Sequence, residues 1–419
     1  MSSLCSVQKP ISTLIKGTVR LNGSKSISNR LLIINALCEQ PVEMQNLSNA
    51  DDTVFLQRIL ESKDTILDAG AGGTTFRFLT AFLATQEGRE VVLTGSERMK
   101  QRPIRILVDA LQQLGADIIY ESAEGFPPLR IKGKKLKGGK IALPADTSSQ
   151  YITALLLIAP TLEEGLELEL MGTVVSVPYI RMTLKMMEYF GIQTEFKDKT
   201  IRVKSGRYTP RPFFVEGDWS AASYFYAIAI LAKEAEIILN GLTSQQIQGD
   251  SVIAAIAADF GIETIYDNHR VLLRKTSVLP EKKYTFDFLE CPDLAQTVVT
   301  FCAGLGVELQ CKGLQTLRIK ETDRIAALDN ELQKLELGSL IELDGNNWML
   351  EIARQNNRER AKSLYAIKTY DDHRMAMAFA PLALVLEEIK IEEPEVVTKS
   401  YPLYWDDLRK LGFDVKENH

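Results

Sequence analysis

Six stretches of this chain begin with a short polar or charged segment and continue as a strongly apolar run with the spacing of a helix. The polar segments contain Ser, Thr or Asp, and three of the six also contain Arg or Lys. They are Gly23-Ser-Lys-Ser-Ile-Ser-Asn-Arg30, Gly72-Gly-Thr-Thr-Phe-Arg77, Thr147-Ser-Ser-Gln150, Asp218-Trp-Ser-Ala-Ala-Ser223, Pro292-Asp-Leu-Ala-Gln296 and Asp371-Asp-His-Arg374. A helix that is apolar on nearly all sides must be enclosed by other elements. The pattern therefore predicts helices inside and sheets outside.

The polar starts also indicate a class of ligand. A helix N-terminus carries unpaired backbone N–H groups and about half a positive charge, so it favours phosphate or carboxylate. The net charge of −6 disfavours a nucleic-acid or membrane partner, because both require an excess of Lys and Arg on one face. We therefore expect an enzyme that acts on small, highly charged metabolites, with no nucleic-acid and no membrane partner.

The spacing of the starts indicates internal repetition. They begin near residues 24, 73, 148, 218, 292 and 371, at intervals of 49, 75, 70, 74 and 79 residues. Strand-like segments such as 200–204 and amphipathic helices such as 104–114 lie between them. We interpret this spacing as a repeated unit of about seventy residues that mixes strands with two helices. The predicted fold class is therefore α/β.

Cysteine and histidine usage argues against a metal site. The five cysteines form no CxxC pair, which fits reduced thiols in the cytoplasm, and the N-terminus lacks the pattern of a secretion signal. The three histidines, His269, His373 and His419, are scattered, so no metal is expected. The segment Gly23-Ser-Lys-Ser26 departs from a nucleotide-binding P-loop, and no cofactor is predicted.

Five motifs in order resemble those of the 5-enolpyruvylshikimate-3-phosphate synthase family. They are the segment 23–30, Arg98-Met-Lys-Gln-Arg-Pro-Ile104, Ser148-Ser-Gln150, Arg318-Ile-Lys-Glu-Thr-Asp-Arg324 and Tyr370-Asp-Asp-His-Arg-Met-Ala-Met377, with Lys399-Ser-Tyr-Pro402 near the end. The resemblance covers essentially the whole chain. It implies transfer of the enolpyruvyl group of phosphoenolpyruvate to the 5-hydroxyl of shikimate 3-phosphate, with release of phosphate, in aromatic amino acid biosynthesis.

The resemblance also implies a fold, a two-lobed inside-out α/β barrel built from six βαβαββ units. One lobe is discontinuous, residues 1–22 and 218–419, and the other is continuous, residues 23–217. The active site is expected in the cleft between the lobes, which close over the substrates, and the protein is expected to be a monomer.

Site residues are carried over from the same motifs. Phosphoenolpyruvate is expected to contact Lys25, Gly73, Arg102, Gln150, Arg324, Arg374 and Lys399. Shikimate 3-phosphate is expected to contact Lys25, Ser26, Arg30, Ser148, Ser149, Gln150, Ser176, Tyr179, Asp293 and Lys320. The hypothesis for catalysis assigns deprotonation of the hydroxyl to Asp293, proton exchange at the methyl or methylene carbon to Glu321, and protonation or charge stabilisation of the departing oxygen to Lys25. Arg77 is expected to lie behind the residues that contact the substrates and to pair with a carboxylate such as Asp51 or Asp52.

Charge supports this assignment independently. Two phosphate monoesters and two carboxylates together carry about six negative charges at neutral pH. The matched motifs supply seven cations, namely Lys25, Arg30, Arg102, Lys320, Arg324, Arg374 and Lys399. Cations and helix starts can therefore take the place of a metal in binding these anions.

Three alternatives share parts of this pattern. UDP-N-acetylglucosamine enolpyruvyl transferase carries a cysteine acid in a mobile loop, whereas residues 94–103 contain none. RNA 3′-terminal phosphate cyclase requires a nucleotide and a nucleophilic histidine, which the acidic balance and the scarce histidines disfavour. A non-catalytic anion-binding homologue is disfavoured by the presence of both Asp293 and Glu321.

Overall fold

The computed structural model describes residues 3–144, 148–172, 174, 177–244, 247–353 and 366–418. Within these residues the α-helices are α1 Lys25–Leu37, α2 Asp51–Glu61, α3 Gly73–Ala84, α4 Glu97–Lys100, α5 Arg105–Gln113, α6 Ser149–Ile158, α7 Val177–Tyr189, α8 Trp219–Leu231, α9 Ile253–Asp259, α10 Ala295–Leu305, α11 Arg324–Lys334, α12 His373–Phe379, α13 Ala383–Leu386 and α14 Tyr404–Lys410. Short 3₁₀ turns cover Ala159–Thr161, Gly249–Val252, Pro292–Leu294, Gln315–Ile319, Ala380–Leu382 and Pro394–Lys399.

The strands complete the α/β class. They are β1 Leu4–Gln8, β2 Leu14–Arg20, β3 Met44–Gln45, β4 Ile66–Asp68, β5 Glu90–Thr94, β6 Asp117–Tyr120, β7 Leu129–Lys132, β8 Gly139–Pro144, β9 Leu166–Met171, β10 Thr194–Lys197, β11 Thr200–Val203, β12 Phe213–Phe214, β13 Glu234–Asn240, β14 Ile262–Asp267, β15 Arg270–Lys275, β16 Lys283–Asp287, β17 Glu308–Lys312, β18 Gly338–Asp344, β19 Asn347–Ile352, β20 Ala366–Ile367, β21 Glu388–Glu392 and β22 Asp414–Asn418.

All six polar starts are followed by a buried helix, as predicted. These helices are α1, α3, α6, α8, α10 and α12. In α8 every residue from Trp219 to Ile230 is buried, and in α12 all seven residues are buried. Burial of each large apolar side chain contributes about 1.5–3 kcal/mol, so the apolar composition of these helices fixes them in the interior.

The chain divides into two units. The discontinuous unit comprises Met1–Asn22 and Glu216–His419, and the continuous unit comprises Gly23–Val215. This division falls after residue 215, two residues before the division after residue 217 that the family resemblance implies. Three buried helices contact one another in each unit, α1, α3 and α6 in the continuous unit and α8, α10 and α12 in the discontinuous unit.

One strand-pairing pattern recurs in the sheets. In the sheet β4-β5-β7-β6 the first two strands are parallel, and β7 pairs antiparallel with both β5 and β6. The sheets β10-β11-β9-β8 and β16-β17-β19-β18 repeat this pattern. Since a helix separates the first strand from the second and the second from the final hairpin, each is a βαβαββ unit.

The first two strands of the chain complete two sheets of the discontinuous unit. β2 pairs in parallel with β13 in the sheet β14-β15-β13-β2, and β1 lies between β21 and β22 in the sheet β20-β21-β1-β22. These pairings explain why residues 1–22 belong with the C-terminal half. The remaining sheet is the parallel pair β12-β3, which corresponds to the first two strands of the repeated pattern.

Sheet residues alternate between the interior and solvent. In β9, Leu166, Leu168 and Leu170 are buried, whereas Glu167 is partly exposed and forms ion pairs with Arg202 and Lys140. Such alternation is expected of a sheet with one face on the core. Among the residues that the structure describes, no helix is both long and apolar enough to cross a lipid bilayer.

Candidate active site

The start of α1 carries a largely buried ion pair. The Oγ of Ser24 accepts a hydrogen bond from the backbone N–H of Ile27 and so caps the helix. Lys25 extends from the first turn, and its Nζ lies 3.0 Å from Oδ2 of Asp52 at the start of α2. The two side chains are only 16% and 13% exposed. The main-chain carbonyl of Asp52 accepts from Thr75 Oγ1 at 2.8 Å, so the starts of α2 and α3 lie together.

Arg30 is a buried cation whose contacts are with neutral groups. Its Nε donates to Thr183 Oγ1 at 2.8 Å and its Nη1 to the carbonyl oxygen of Ser26 at 2.7 Å. Its Nη2 donates to Thr153 Oγ1 and to the carbonyl oxygen of Tyr179. Burial lowers the pKa of Arg30 to about 10, although the neighbouring Tyr179 opposes the shift. Within the described residues no carboxylate pairs with this guanidinium.

Gly73, the first residue of α3, is packed by two guanidinium groups. A Cβ atom at this position would lie 2.6 Å from Nη1 of Arg102 and 2.6 Å from Nη1 of Arg77. Those separations are shorter than any normal contact with carbon. Only glycine therefore allows both arginines to approach the helix start.

Arg77 joins the starts of α3 and α6. Its Nη1 donates to the carbonyl oxygen of Gly73 at 2.9 Å and to Oε1 of Gln150 at 3.0 Å. Gln150 also donates from Nε2 to Thr74 Oγ1 at 3.0 Å. The expectation that Arg77 pairs with Asp51 or Asp52 is wrong. Arg77 contacts Gln150 of α6, and the Asp52 carboxylate forms its ion pair with Lys25.

The serines predicted to bind shikimate 3-phosphate have different local roles. Ser148 is the N-cap of α6, and its Oγ accepts from the backbone N–H of Gln150. Ser149 is buried in the first turn of α6, and Ser26 is partly buried in the first turn of α1. Tyr179 lies in α7, with its ring centroid 6.0 Å from the Arg30 guanidinium carbon. Ser176 lies outside the described residues.

The discontinuous unit gathers a cluster of charges around Asp293. Arg374 Nη2 lies 3.1 Å from Asp293 Oδ2, and Arg324 Nη1 lies 3.1 Å from Asp293 Oδ1. Lys320 Nζ is 3.9 Å from the same Oδ1. Burial alone raises the pKa of Asp293, but the positive charges of Arg374, Lys320 and Arg324 outweigh it and hold the pKa well below its usual range.

Arg324 is the most buried cation of this cluster, with 1% of the residue exposed. Its Nε donates to Asp372 Oδ2 at 2.6 Å, and its Nη2 donates to Glu321 Oε2 at 2.7 Å. Burial lowers the pKa of a guanidinium, yet Asp372, Glu321 and Asp293 together raise that of Arg324 above its ordinary value. Three carboxylates thus compensate the buried charge, as a stable buried ion pair requires.

Lys399 lies beside the cluster. Its Nζ contacts the carbonyl oxygen and Oδ1 of Asp371, each at 2.7 Å. Tyr370 and Asp371 have φ values of 55° and 58°, in the left-handed region that non-glycine residues rarely adopt. Lys399 therefore stabilises the turn that precedes Asp372, the N-cap of α12.

The structure thus brings the predicted residues together within each unit. In the continuous unit Lys25, Arg30, Gly73, Arg102, Ser148, Ser149 and Gln150 lie at or near the starts of α1, α3 and α6 or contact them. In the discontinuous unit Asp293, Lys320, Glu321, Arg324 and Arg374 form one ion-pair cluster, with Lys399 at its flank.

Sequence reasoning did not assign two carboxylates to the cations that they contact. Asp52 pairs with Lys25, and Asp372 both pairs with Arg324 and accepts from the backbone N–H of Arg374. Asp372 stands inside a quoted motif, so its place at a helix N-cap could have marked it. No local signal distinguishes Asp52 from Asp51. Within the described ranges no group of His, Cys, Asp and Glu has the arrangement of a metal site.

Comparison with known proteins identifies the family of the chain. The family model described as EPSP synthase (3-phosphoshikimate 1-carboxyvinyltransferase) matches residues 9–62 and 54–408. A 3-phosphoshikimate 1-carboxyvinyltransferase of Bacteroides fragilis is 49% identical over 403 residues, covering 96% of this chain and 97% of the relative. The same-named protein of Pasteurella multocida is 36% identical, covering 96% of each chain.

The fold is similar to a solved structure as well. An EPSP synthase from Acinetobacter baumannii superimposes with a TM-score of 0.75 over 100% of both chains, at 20% sequence identity. That likeness supports the fold, while the family model and the two sequence relatives establish descent. The chain therefore belongs to the EPSP synthase family.

Proposed function

We propose that this protein transfers the carboxyvinyl group of phosphoenolpyruvate to the 5-hydroxyl of shikimate 3-phosphate and releases phosphate, in the route to aromatic amino acids. The observation that carries the proposal is the full-length similarity to proteins named 3-phosphoshikimate 1-carboxyvinyltransferase, at 49% identity. The charged helix starts of the two units supply the groups that this reaction requires.

The reaction is an addition followed by an elimination. The 5-hydroxyl oxygen bonds to the C2 carbon of phosphoenolpyruvate, its proton passes to a base, and the methylene carbon gains a proton to become a methyl group. The resulting tetrahedral intermediate then loses a methyl proton as the bond to phosphate breaks, which restores the double bond. Acid–base groups and anion binding are sufficient for every step.

Arg30 supports binding of an anionic substrate in the continuous unit. A buried cation that contacts only neutral acceptors is costly in the empty protein, and a phosphate or carboxylate compensates its charge on binding. Lys25, Arg30, Ser26, Ser148, Ser149, Gln150, Ser176 and Tyr179 are assigned to shikimate 3-phosphate in this proposal, with Asp293 and Lys320.

Phosphoenolpyruvate is assigned to a second set of residues, which shares Lys25 and Gln150 with the first. Arg102 packs against Gly73, and the absence of a Cβ there leaves the backbone of the α3 start accessible to a small anion. Lys25, Gln150, Arg324, Arg374 and Lys399 complete this set. Because the two sets draw on both units, the proposed activity requires residues of both units.

Asp293 is proposed as the base, and its ion pairs define a condition for that role. Three cations stabilise its ionised form, so in the empty protein it is a weak base. Anionic substrates compete for Arg374, Arg324 and Lys320, and their negative charge raises the pKa of Asp293 toward the range useful for proton abstraction. Substrate binding therefore activates the base. Glu321, beside Arg324, is proposed to exchange the proton at the methyl carbon, and Lys25 to assist the departing oxygen.

The experiment is a phosphate-release assay with both substrates together and with each alone. We expect release only from the pair. UDP-N-acetylglucosamine in place of shikimate 3-phosphate is expected to give none, and release with that acceptor would assign the other enolpyruvyl transfer. No release under any condition would indicate a non-catalytic binding protein.

A matched pair of variants assigns the site. Lys25→Ala is expected to abolish most of the activity, whereas Lys140→Ala, which removes an exposed lysine of the same unit paired with Glu167 and Glu169, is expected to leave it unchanged. Equal activity of both variants would contradict the placement of Lys25. We also propose that the protein is a monomer and that it is located in the cytoplasm. A molecular mass measured in solution tests the first of these proposals.

A further inference from the structure

Asp250 is a fully buried carboxyl group next to the proposed active-site cluster, and the reaction scheme does not use it. It lies in the 3₁₀ turn Gly249–Val252 before α9, and its exposure is 0%. Its Oδ2 accepts a hydrogen bond from Ser220 Oγ in the first turn of α8. Its Oδ1 has no hydrogen-bond partner, and Asp250 forms no ion pair, within the part of the chain that the structure describes.

The hydrogen bonds around Ser220 show that this arrangement is well ordered. Gln248 donates from Nε2 to Ser220 Oγ at 2.9 Å and to Asp218 Oδ1 at 3.2 Å, and its Oε1 accepts from the backbone N–H of Trp219. Ser220 Oγ thus accepts a hydrogen bond from Gln248 and donates its own hydrogen bond to Asp250. The environment fixes one oxygen of Asp250 and leaves the other without a donor.

Charged and titratable groups on three elements act on Asp250. They are Asp218, the N-cap of α8; Cys291 and Asp293, at the turn before α10; and Arg374, at the start of α12. Asp293 and Asp218 oppose a negative charge on Asp250, and Arg374 favours it. Since Arg374 is already paired with Asp293 at 3.1 Å, its positive charge is largely compensated.

A buried carboxyl group in these surroundings favours its neutral form. Ionisation would bury a charge with only one hydrogen-bond donor, beside another carboxylate. Burial first, and then the charge of Asp293, raise the pKa of Asp250 to about 7. The group therefore changes its charge near neutral pH.

The charge state of Asp250 decides the balance of the cluster. Asp293, Glu321 and Asp372 carry three negative charges, and Lys320, Arg324 and Arg374 carry three positive charges. With a neutral Asp250 these charges balance. Ionised, Asp250 adds an uncompensated negative charge near Arg374, which opposes any anion that binds there.

We propose that Asp250 is a positioning residue that must carry its proton for the Asp293 cluster to accept an anionic substrate. The identity of that substrate, phosphoenolpyruvate, rests on the proposed function. The protonation of Asp250 itself does not.

The first test follows the KM for phosphoenolpyruvate, at saturating shikimate 3-phosphate, from about pH 6 to pH 9. In the unaltered protein we expect KM to increase above about pH 7, approaching tenfold per pH unit as the competent fraction falls. Asp250→Asn keeps the shape of the neutral acid and is expected to remove that increase. If the titrating group were instead Lys320, whose pKa is lowered by burial, the increase in KM would persist in Asp250→Asn. Asp259→Asn, an exposed carboxylate in α9, is the control and is expected to retain the increase.

The second test does not depend on activity. Infrared difference spectra between about pH 6 and pH 8 are expected to contain the carbonyl band of a buried carboxylic acid that Asp250→Asn removes and Asp259→Asn retains. Absence of this band in the unaltered protein would overturn the proposal. A band without any effect of Asp250→Asn on the pH dependence of KM would overturn it too, and failure of enzyme turnover with the band present would instead count against the proposed function.

Discussion

The guanidinium of Arg374 contacts both the carboxylate and the main-chain carbonyl of Asp293. Nη2 of Arg374 lies 3.1 Å from the Asp293 carboxylate, and Nη1 donates to the carbonyl oxygen of the same residue at 3.3 Å. The planar guanidinium thereby fixes the start of the turn before α10 to the start of α12. A lysine has only one nitrogen at its tip and cannot make both contacts in this geometry. The orientation of the proposed base therefore depends on an arginine at position 374.

Removal of the Arg30 charge is expected to weaken substrate binding without destabilising the fold. In Arg30→Met a buried cation with neutral partners is replaced by an apolar chain, so the free energy of unfolding should change by less than about 1 kcal/mol. Loss of a charged hydrogen bond should weaken shikimate 3-phosphate binding by about tenfold to a hundredfold. Calorimetric titration and urea unfolding measure the two quantities.

The control for this variant is Arg105→Met, which removes an exposed arginine of the same unit paired with Glu124. It should change neither quantity. Unaltered affinity of Arg30→Met for shikimate 3-phosphate would contradict the assignment of Arg30.

Arg324→Met is expected to give the opposite result for stability. Here the removal of a buried cation leaves Asp372, Glu321 and Asp293 without their shared partner, which should cost about 3–5 kcal/mol. Arg318→Met removes an exposed arginine that pairs with Asp323 and Glu342, and should cost less than about 1 kcal/mol. Equal midpoints of urea unfolding for the two variants would show that the Arg324 charge is not compensated as described.

Gly73→Ala is expected to affect the binding of phosphoenolpyruvate most. The new methyl group would displace the tips of Arg102 and Arg77, which lie 2.6 Å from its position. Because these tips are the ends of long side chains, the fold should tolerate the change, and KM for phosphoenolpyruvate should increase by about tenfold or more, as for a lost charged contact. Initial rates at varied phosphoenolpyruvate measure this effect.

Gly206→Ala tests whether the effect is specific to position 73. Gly206 lies in the same unit, and a Cβ there meets only Ile192, at 3.9 Å. The KM of Gly206→Ala for phosphoenolpyruvate should equal that of the unaltered protein. A normal KM for Gly73→Ala would mean that the two arginines do not order the phosphoenolpyruvate site.

The titration of Asp250 should also appear in the stability of the fold. In the unfolded chain this carboxyl group ionises near pH 4, whereas in the folded protein burial and Asp293 keep the proton to about pH 7. Between about pH 4 and pH 7 the group is ionised only in the unfolded chain. The free energy of unfolding of the unaltered protein therefore decreases as pH rises through this range, by up to about 4 kcal/mol. The stability of Asp250→Asn relative to the unaltered protein should therefore increase across this range and then remain constant. Parallel curves of urea unfolding free energy against pH would contradict it.

The helices of the fold could be predicted because their signals are local. The segment beginning at Asp218 combines an N-cap residue with an apolar run, and both features remain visible in the sequence whatever the helix packs against. Strand pairing is different, since β1 and β22 come from opposite ends of the chain. No local pattern specifies that register, and only the family resemblance implied that residues 1–22 belong with the C-terminal half.

The candidate site shows the same limit. Lys25, Arg324 and Arg374 stand in motifs and could be named from the sequence. Their carboxylate partners depend on which helix starts meet in space. Arg77 illustrates this, because its contact with Gln150 joins residues 73 positions apart and no pattern in the sequence relates them. Asp250 likewise lies outside every motif, and only its burial beside Asp293 marks it.

The most direct measurement follows carbon from labelled phosphoenolpyruvate into shikimate 3-phosphate, with the unaltered protein and with Asp293→Asn. The unaltered protein is expected to transfer the label and to release one phosphate for each label transferred. Asp293→Asn should remain folded, bind shikimate 3-phosphate, and transfer label about 10² to 10⁴ times more slowly, as expected for loss of a general base. Phosphate release without transfer of label, or undiminished transfer by Asp293→Asn, would contradict the account.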